Sequence, residues 1–466
     1  MTAVIPNLTV EKIGGTSMSK FGEVISNVIL RSGEGIAPYG RIFIVSAYGG
    51  VTNSLLEHKK TKQPGVYSLF ETQGDYASAL DQVEEQLIEI NEGFAQNQLD
   101  VCEANNFIRE RILSARKYLK NIAEVMSSGY VSRHELLMAA RELLASIGES
   151  HSAYNSALML KQRGYQAITI DLSGWDDHRE LSIDQRIKEA FINVDPSQLI
   201  TFVTGYCKGI EGIMREFDRG YSEVTFSKVA VLLNPKEAII HKEFHLSSGD
   251  PIIIGKQFVR PVCATNFDVA DQLADVGMEA IHPKASKPLE LADIPIRVKN
   301  AFDPDHEGTL ISKEYVNPES RVEIIAGSNK VVSISIHDTR MVGAVGFDLR
   351  IMEVLAKFGI SYLCKATNAN TIEIIVMERE VSSELIAALA EQFEQVTSAP
   401  VALVCAIGSN IAKPGILARA AAGLAESKIN ILAISQTSRQ TNIQFVVERA
   451  QFEGAERALH SVLCTH

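Results

Sequence analysis

The chain has 466 residues, 46% of them hydrophobic and 22% charged, with a formal net charge of −12. That length predicts two to four domains of ordinary soluble composition, and the negative balance excludes a general surface for nucleic acid or anionic membrane, which would repel it. Six cysteines (Cys102, Cys207, Cys263, Cys364, Cys405, Cys464) lie far apart with no C-x-x-C pair; with no basic leader and no apolar run of membrane-spanning length, a cytoplasmic protein is expected.

Near the start, LTVEKI and then RIFIVSAYGG (41–50) read as buried parallel strands, each running into a glycine turn. Between them, KFGEVISNVILRSGEG carries Phe21, Val24, Ile25, Val28 and Ile29 at helical spacing. Strand, turn, helix and strand in that order predict a βαβ unit and a mostly parallel sheet. Residues 54–150 lack strand signals and hold charged amphipathic stretches such as DQVEEQLIEINEGF and ANNFIRERILSARKYLKNIAEVM, so this segment is expected to be largely helical. Strands are expected again at YQAITIDL (165–172), LITFVTGYC (199–207), KVAVLLN (228–234) and PIIIG (251–255). Residues 1–305 thus read as one large α/β domain with helices on both faces of its sheet.

The pattern changes after FDPDHEGTLI (302–311). Residues 331–378 go strand, turn, helix, strand, turn, strand, and residues 401–448 repeat that order about 70 residues later, an internal repeat. Helical stretches, SSELIAALAEQFEQV and AERALHSVLC, follow the two copies and complete βαββαβ units of the ferredoxin-like kind. The expected boundaries are 320–395 and 396–466.

Four stretches carry chemistry. In VEKIGGTS, Gly14 and Gly15 follow a buried strand, so their N–H groups and the next helix start favour an anion, with Lys12 as a cation beside them. By itself the stretch reads equally well as an ordinary strand-end turn. In VSAYGGVTN (45–53), Ser46, Gly49, Gly50 and Thr52 end a second strand at the carboxyl edge where open α/β sheets bind ligands. SRHELLMAARELL (132–144) places Glu135 in the first turn of an amphipathic helix, where it also complements the helix dipole. FDRGYSEVTFSKVA (217–230) packs Arg219, Ser222, Glu223 and Thr225 around a glycine turn.

In order and spacing these stretches resemble the amino-acid kinases, specifically the aspartokinases. VEKIGGTS resembles their K-F-G-G-T-S signature, VSAYGGVTN their S-A-x-x-G-x-T-N turn, SRHELLMA their S-x-G-E-L segment and DRGYSEVT their G-R-G-G-S-D-x-T loop. GMEAIHPKA (277–285) resembles their G-x-K-V-L-H-P element, and the two βαββαβ units look like paired ACT domains, which bind amino-acid effectors. HKEFHLSSGDP and other departures resemble the divergent aspartokinases linked to ectoine synthesis. The resemblance implies that ATP, with its magnesium, phosphorylates the side-chain carboxylate of L-aspartate to 4-phospho-L-aspartate, the first step towards lysine, threonine, methionine and ectoine.

Carried over motif by motif, Lys12 and Glu223 would be the catalytic pair, with Lys12 on the transferring phosphate oxygens and Gly14 and Gly15 donating backbone hydrogen bonds to them. Ser46, Thr52, Gly220 and Ser222 would line the aspartate pocket. Glu135 would bind the substrate α-ammonium, and Arg219 a substrate carboxylate, whose geometry a guanidinium matches bidentately. Lys242 and Glu279 would lie at the nucleotide, and no protein-held metal is expected because magnesium arrives on ATP. Tyr221 stands where the family has glycine, Glu223 where it has aspartate, and Lys242 and Glu279 invert the charges found at their positions, which reads as a compensated swap or as two positions that face solvent. An amino-acid effector at the ACT units and a homodimer or larger assembly are also implied. The alternatives are another amino-acid kinase, such as a glutamate kinase, or a catalytically silent ACT-bearing sensor; retention of Lys12, Glu135 and Arg219 together argues against the sensor.

Overall fold

The computed structural model describes residues 7–31, 38–59, 61–217, 220–278 and 281–464. Two compact units divide the chain: Met1–His245 with Lys284–Gly308, and Leu246–Pro283 with Thr309–His466. The expected 1–305 span therefore contributes 246–283 to the second unit.

In the first unit six parallel strands, β1 (Thr9–Ile13), β2 (Arg41–Val45), β3 (Ala167–Ile170), β4 (Ile200–Thr204), β5 (Glu237–Lys242) and β6 (Ile296–Asn300), lie in the order β3-β4-β2-β1-β5-β6. β1 is central, with β2 on one side and β5 on the other, so the chain reverses its direction of growth there. That switch point opens a crevice at the carboxyl ends of the strands. The helical segment forms as expected: α1 (Tyr76–Gly93), α2 (Val101–Ser128) and α3 (Arg133–Gln162). α3 starts exposed and ends deep, every residue from Leu144 to Leu160 except Tyr154 being buried.

Two expected strands are something else. KVAVLLN is the end of helix α4 (Tyr221–Leu233); Val229 and Ala230 are buried while Val231 and Leu232 face outward, and the unbroken apolar run 229–233 erases the periodicity that separates a helix from a strand. PIIIG is a run of turns in which the Ile252 N–H donates to Asp250 Oδ1 at 2.7 Å and the Ile254 N–H to the Asp250 carbonyl at 2.9 Å, leaving Ile252 89% exposed. Conversely β5 and β6 carry charges that mask them in sequence. One pair of them is satisfied across the ladder, Arg297 bonding Glu237 at 2.7–3.0 Å.

The second unit contains one antiparallel sheet of β7 (Ile324–His337), β8 (Cys364–Thr367), β9 (Thr371–Met377), β10 (Gln395–Ile407), β11 (Ala433–Gln436) and β12 (Asn442–Glu448), in the order β8-β9-β7-β10-β12-β11. The long strands β7 and β10 serve both repeats. Residues 331–337 of β7 pair with 395–401 of β10, while 324–328 pair with 403–407. The first repeat, with helices α5 (Phe347–Lys357) and α6 (Ser383–Ala390), has its own core around Ile334, Ile336, Leu355, Ile374 and Leu389. The second, with α7 (Ile416–Glu426) and α8 (Phe452–Leu463), packs Ile325, Val404, Leu424, Phe445 and Leu459. Its fourth strand is residues 324–328, which precede the first repeat in sequence, so a boundary at 395/396 cuts through β10 and the two copies interleave instead of following one another.

Glu456 of α8 is 2% exposed, and burial, with Asp250 and Glu453 nearby, pushes its carboxyl up to about 8 despite Arg457. A raised carboxyl favours folding below the ordinary carboxylate range and loses that advantage as pH rises towards 8. Glu456→Gln should therefore match the natural protein near pH 4 in thermal unfolding and exceed it by about 2 kcal/mol near pH 6, the gap widening towards pH 8.

Candidate active site

Val10 and Lys12 share one face of β1, and Glu11 takes the other. Glu11 is sealed there: Arg41 donates to it at 2.6 and 2.9 Å and His241 Nε2 lies at 2.7 Å. Burial alone would raise its pKa, but these two partners hold it well below the usual range. Lys12, 8% exposed, instead sends its ammonium to the carboxyl end of the sheet, 3.3 Å from Glu223 Oε1.

Glu223 sits in the first turn of α4, which begins after Gly220 at φ +88°, a left-handed conformation that glycine adopts without strain. One residue earlier, Ser222 Oγ lies 3.2 Å from Ser46 Oγ at the end of β2. Thus β1, β2 and α4 converge. Two glycines permit the approach. A Cβ on Gly15 would stand 2.8 Å from the Ala47 carbonyl oxygen, and one on Gly148 of α3 would stand 2.6 Å from the Ala47 Cβ. Beside Gly14, Glu243 Oε1 accepts from Ser17 Oγ at 3.2 Å.

Gly148 brings its neighbour Glu149 into this cluster. Glu149 is 2% exposed, and the Tyr221 hydroxyl lies 3.3 Å from its Oε2. Burial pushes its carboxyl up to about 7, against the opposing pull of Tyr221, the Ala47 amide and the Lys12 charge. A buried carboxylate poised to ionise suits an incoming cation, and an ammonium beside two glycine amides suits an anion. The arrangement can therefore hold a zwitterion and a phosphate together.

Of the residues expected from sequence, Lys12, Gly14, Gly15, Ser46, Gly220, Ser222 and Glu223 come together here. Lys242 ends β5 half-buried, two residues beyond Ile240, which pairs with Lys12, and so on the Lys12 face. Thr52 lies half-buried in the short helix Val51–Leu55 after the Gly49–Gly50 turn. Arg219 and Glu279 fall outside the described residues. Glu135 is a correction. It precedes Glu149 by fourteen residues of α3, about 21 Å along the axis, and its exposed carboxylate pairs with Arg215. The S-x-G-E pattern stands in the chain at Ser146-Ile147-Gly148-Glu149, and that literal match is the signal that could have found Glu149. Among the described residues no group of three or more His, Cys, Asp or Glu could hold a metal ion, and no helix is long and apolar enough to cross a membrane.

A model of the amino acid kinase family matches residues 7–300, and an ACT domain model matches residues 404–463. The chain is 44% identical over 461 residues to aspartate kinase Ask_Ect of Stutzerimonas stutzeri, covering 98% of this chain and 97% of that protein. Its fold resembles E. coli aspartokinase III in complex with aspartate and ADP (TM-score 0.71, 20% identity, 97% of this chain and 99% of that one). It likewise resembles the same enzyme in complex with lysine and aspartate (TM-score 0.68, 21% identity, 98% and 99%).

Proposed function

The chain belongs to the amino acid kinase family and is an aspartate kinase, and from that premise we propose how its residues divide the work of moving the γ-phosphoryl group of ATP onto the side-chain carboxylate of L-aspartate. The observation that carries the reading is the pairing, at one end of the sheet, of a cation beside a glycine turn with a buried carboxylate. Lys12 touches the transferring phosphoryl oxygens, and Glu223 holds its ammonium in place. Gly14 and Gly15 donate backbone hydrogen bonds to the same oxygens, and Lys242, on the same face, serves the outer phosphates. Glu149, not Glu135, takes the α-ammonium of aspartate, with Ser46 and Ser222 lining the pocket and Thr52 and Arg219 completing it.

The attacking side-chain carboxylate is already ionised at neutral pH, so positioning and charge neutralisation supply the catalysis and no strong base is required. Magnesium brought on ATP would supply neutralisation of phosphate charge beside Lys12. Hydroxylamine trapping of the acyl phosphate tests the reading. Hydroxamate should form with ATP and L-aspartate. Product with L-glutamate in its place would favour a glutamate kinase, and none with either a silent sensor.

An amino-acid effector at the ACT units, a cytoplasmic location, a role in supplying ectoine and an assembly of two or more chains belong to the same proposal. The interleaved βαββαβ pair and the identity to Ask_Ect support them. A monomeric mass by light scattering would refute the assembly.

A further inference from the structure

Tyr221 stands where the family loop has glycine, and its surroundings give it a task. The ring is 4% exposed and packs edge-on against Tyr206, with centroids 6.0 Å apart at 79°. Tyr206 in turn donates its hydroxyl to Glu142 Oε2 at 2.6 Å, and Glu142 Oε1 accepts from the Met214 N–H at 2.7 Å. Glu135, Glu142 and Glu149 recur every seven residues and therefore follow one face of α3, about 10.5 Å apart. Each holds a different point of the segment leading into α4: Arg215, then Tyr206 with Met214, then Tyr221. The first two contacts fix backbone and loop. The third alone reaches the substrate pocket.

We propose that Tyr221 is a positioning residue for substrate binding: its hydroxyl donates to Glu149 and fixes that carboxylate towards the α-ammonium of the amino acid. The inference rests on the assignment of Glu149 as the ammonium site. A hydrogen bond donated to a carboxylate favours its ionised form, and few other groups do so here. Lys12 faces Glu149 from β1, and Glu223 of α4 lies 3.3 Å from the Lys12 ammonium; the Ala47 amide faces Glu149 from the end of β2; and Gly205 after β4, whose Cβ would lie 3.3 Å from the Glu149 Cγ, brings no charge. The phenol is the one side-chain donor bonded to Glu149 among these.

Tyr221→Phe keeps the ring and its packing on Tyr206 while removing the donor. KM for aspartate is expected to rise about tenfold with kcat within about twofold. The acid limb of the kcat/KM profile is expected to move up by about one pH unit. An unmoved limb with unchanged KM overturns the proposal, and so does a fall in kcat and melting temperature with the limb in place, the mark of a purely structural role. Glu149→Gln in the same assay separates the two layers. If it leaves KM for aspartate unchanged, the ammonium assignment fails and this inference with it. If it raises KM while Tyr221→Phe does not, only this inference fails.

Discussion

Lys12→Ala should leave a folded protein whose kcat has fallen by about a hundred- to a thousandfold, the usual cost of removing one preorganised donor to developing phosphoryl charge. The expectation follows from where the strand puts the ammonium. Lys12 lies in a strand hydrogen-bonded on both sides, to β2 and β5, so its stem cannot wander. Its ammonium is 3.3 Å from Glu223, which orients it without burying it beyond reach. The backbone ladder does not depend on the side chain, so parallel pairing should survive. Some stability is lost because Glu223 keeps a charge without its partner. Circular dichroism and thermal unfolding would confirm the fold, and a single-turnover measurement would assign the loss to chemistry. Retention of near-normal turnover would sink the assignment of the whole site.

The second large effect separates two glutamates of one helix. Glu149→Gln should reduce kcat/KM for aspartate by about thirtyfold or more, because a buried charge partner of the substrate is lost. Glu135→Gln should change it by less than about twofold, since an exposed ion pair contributes little. Stability moves the opposite way. Burial holds the Glu149 carboxyl up at about 7, so its contribution to folding is full below the ordinary carboxylate range and fades as pH rises through 7. Glu149→Gln should thus melt higher than the natural protein near pH 8. Activity lost while stability is gained cannot be unfolding. If Glu135→Gln proves the damaging change instead, the reassignment fails.

The misplacement of Glu135 has a physical origin. A glutamate in the first turn of a helix, beside Arg133 and His134, presents the residue types a binding segment would use. Sequence alone does not report that the helix runs on for about two and a half turns before it is enclosed at Leu144. Burial decides the matter: α3 is solvent-facing at Glu135 and enclosed at Glu149. An unbroken apolar run made KVAVLLN read as a strand, and charges such as Glu237 and Arg297, paired across the two strands, hid β5 and β6.

The residues by themselves determined the βαβ opening, the helical segment, the repeated tail and the converging motifs of Lys12, Ser46 and Glu223, because alternation, helical spacing and glycine turns are local consequences of backbone geometry. What only the tertiary structure decided is non-local. Which glutamate of α3 meets the pocket depends on Gly148 closing on Ala47. That the two tail units share β7 and β10 depends on pairing between residues 58 to 83 positions apart. Whether Tyr221 is a blemish in a glycine loop or a donor to Glu149 depends on where a second helix passes. Such contacts are set by packing, which no short stretch of sequence contains.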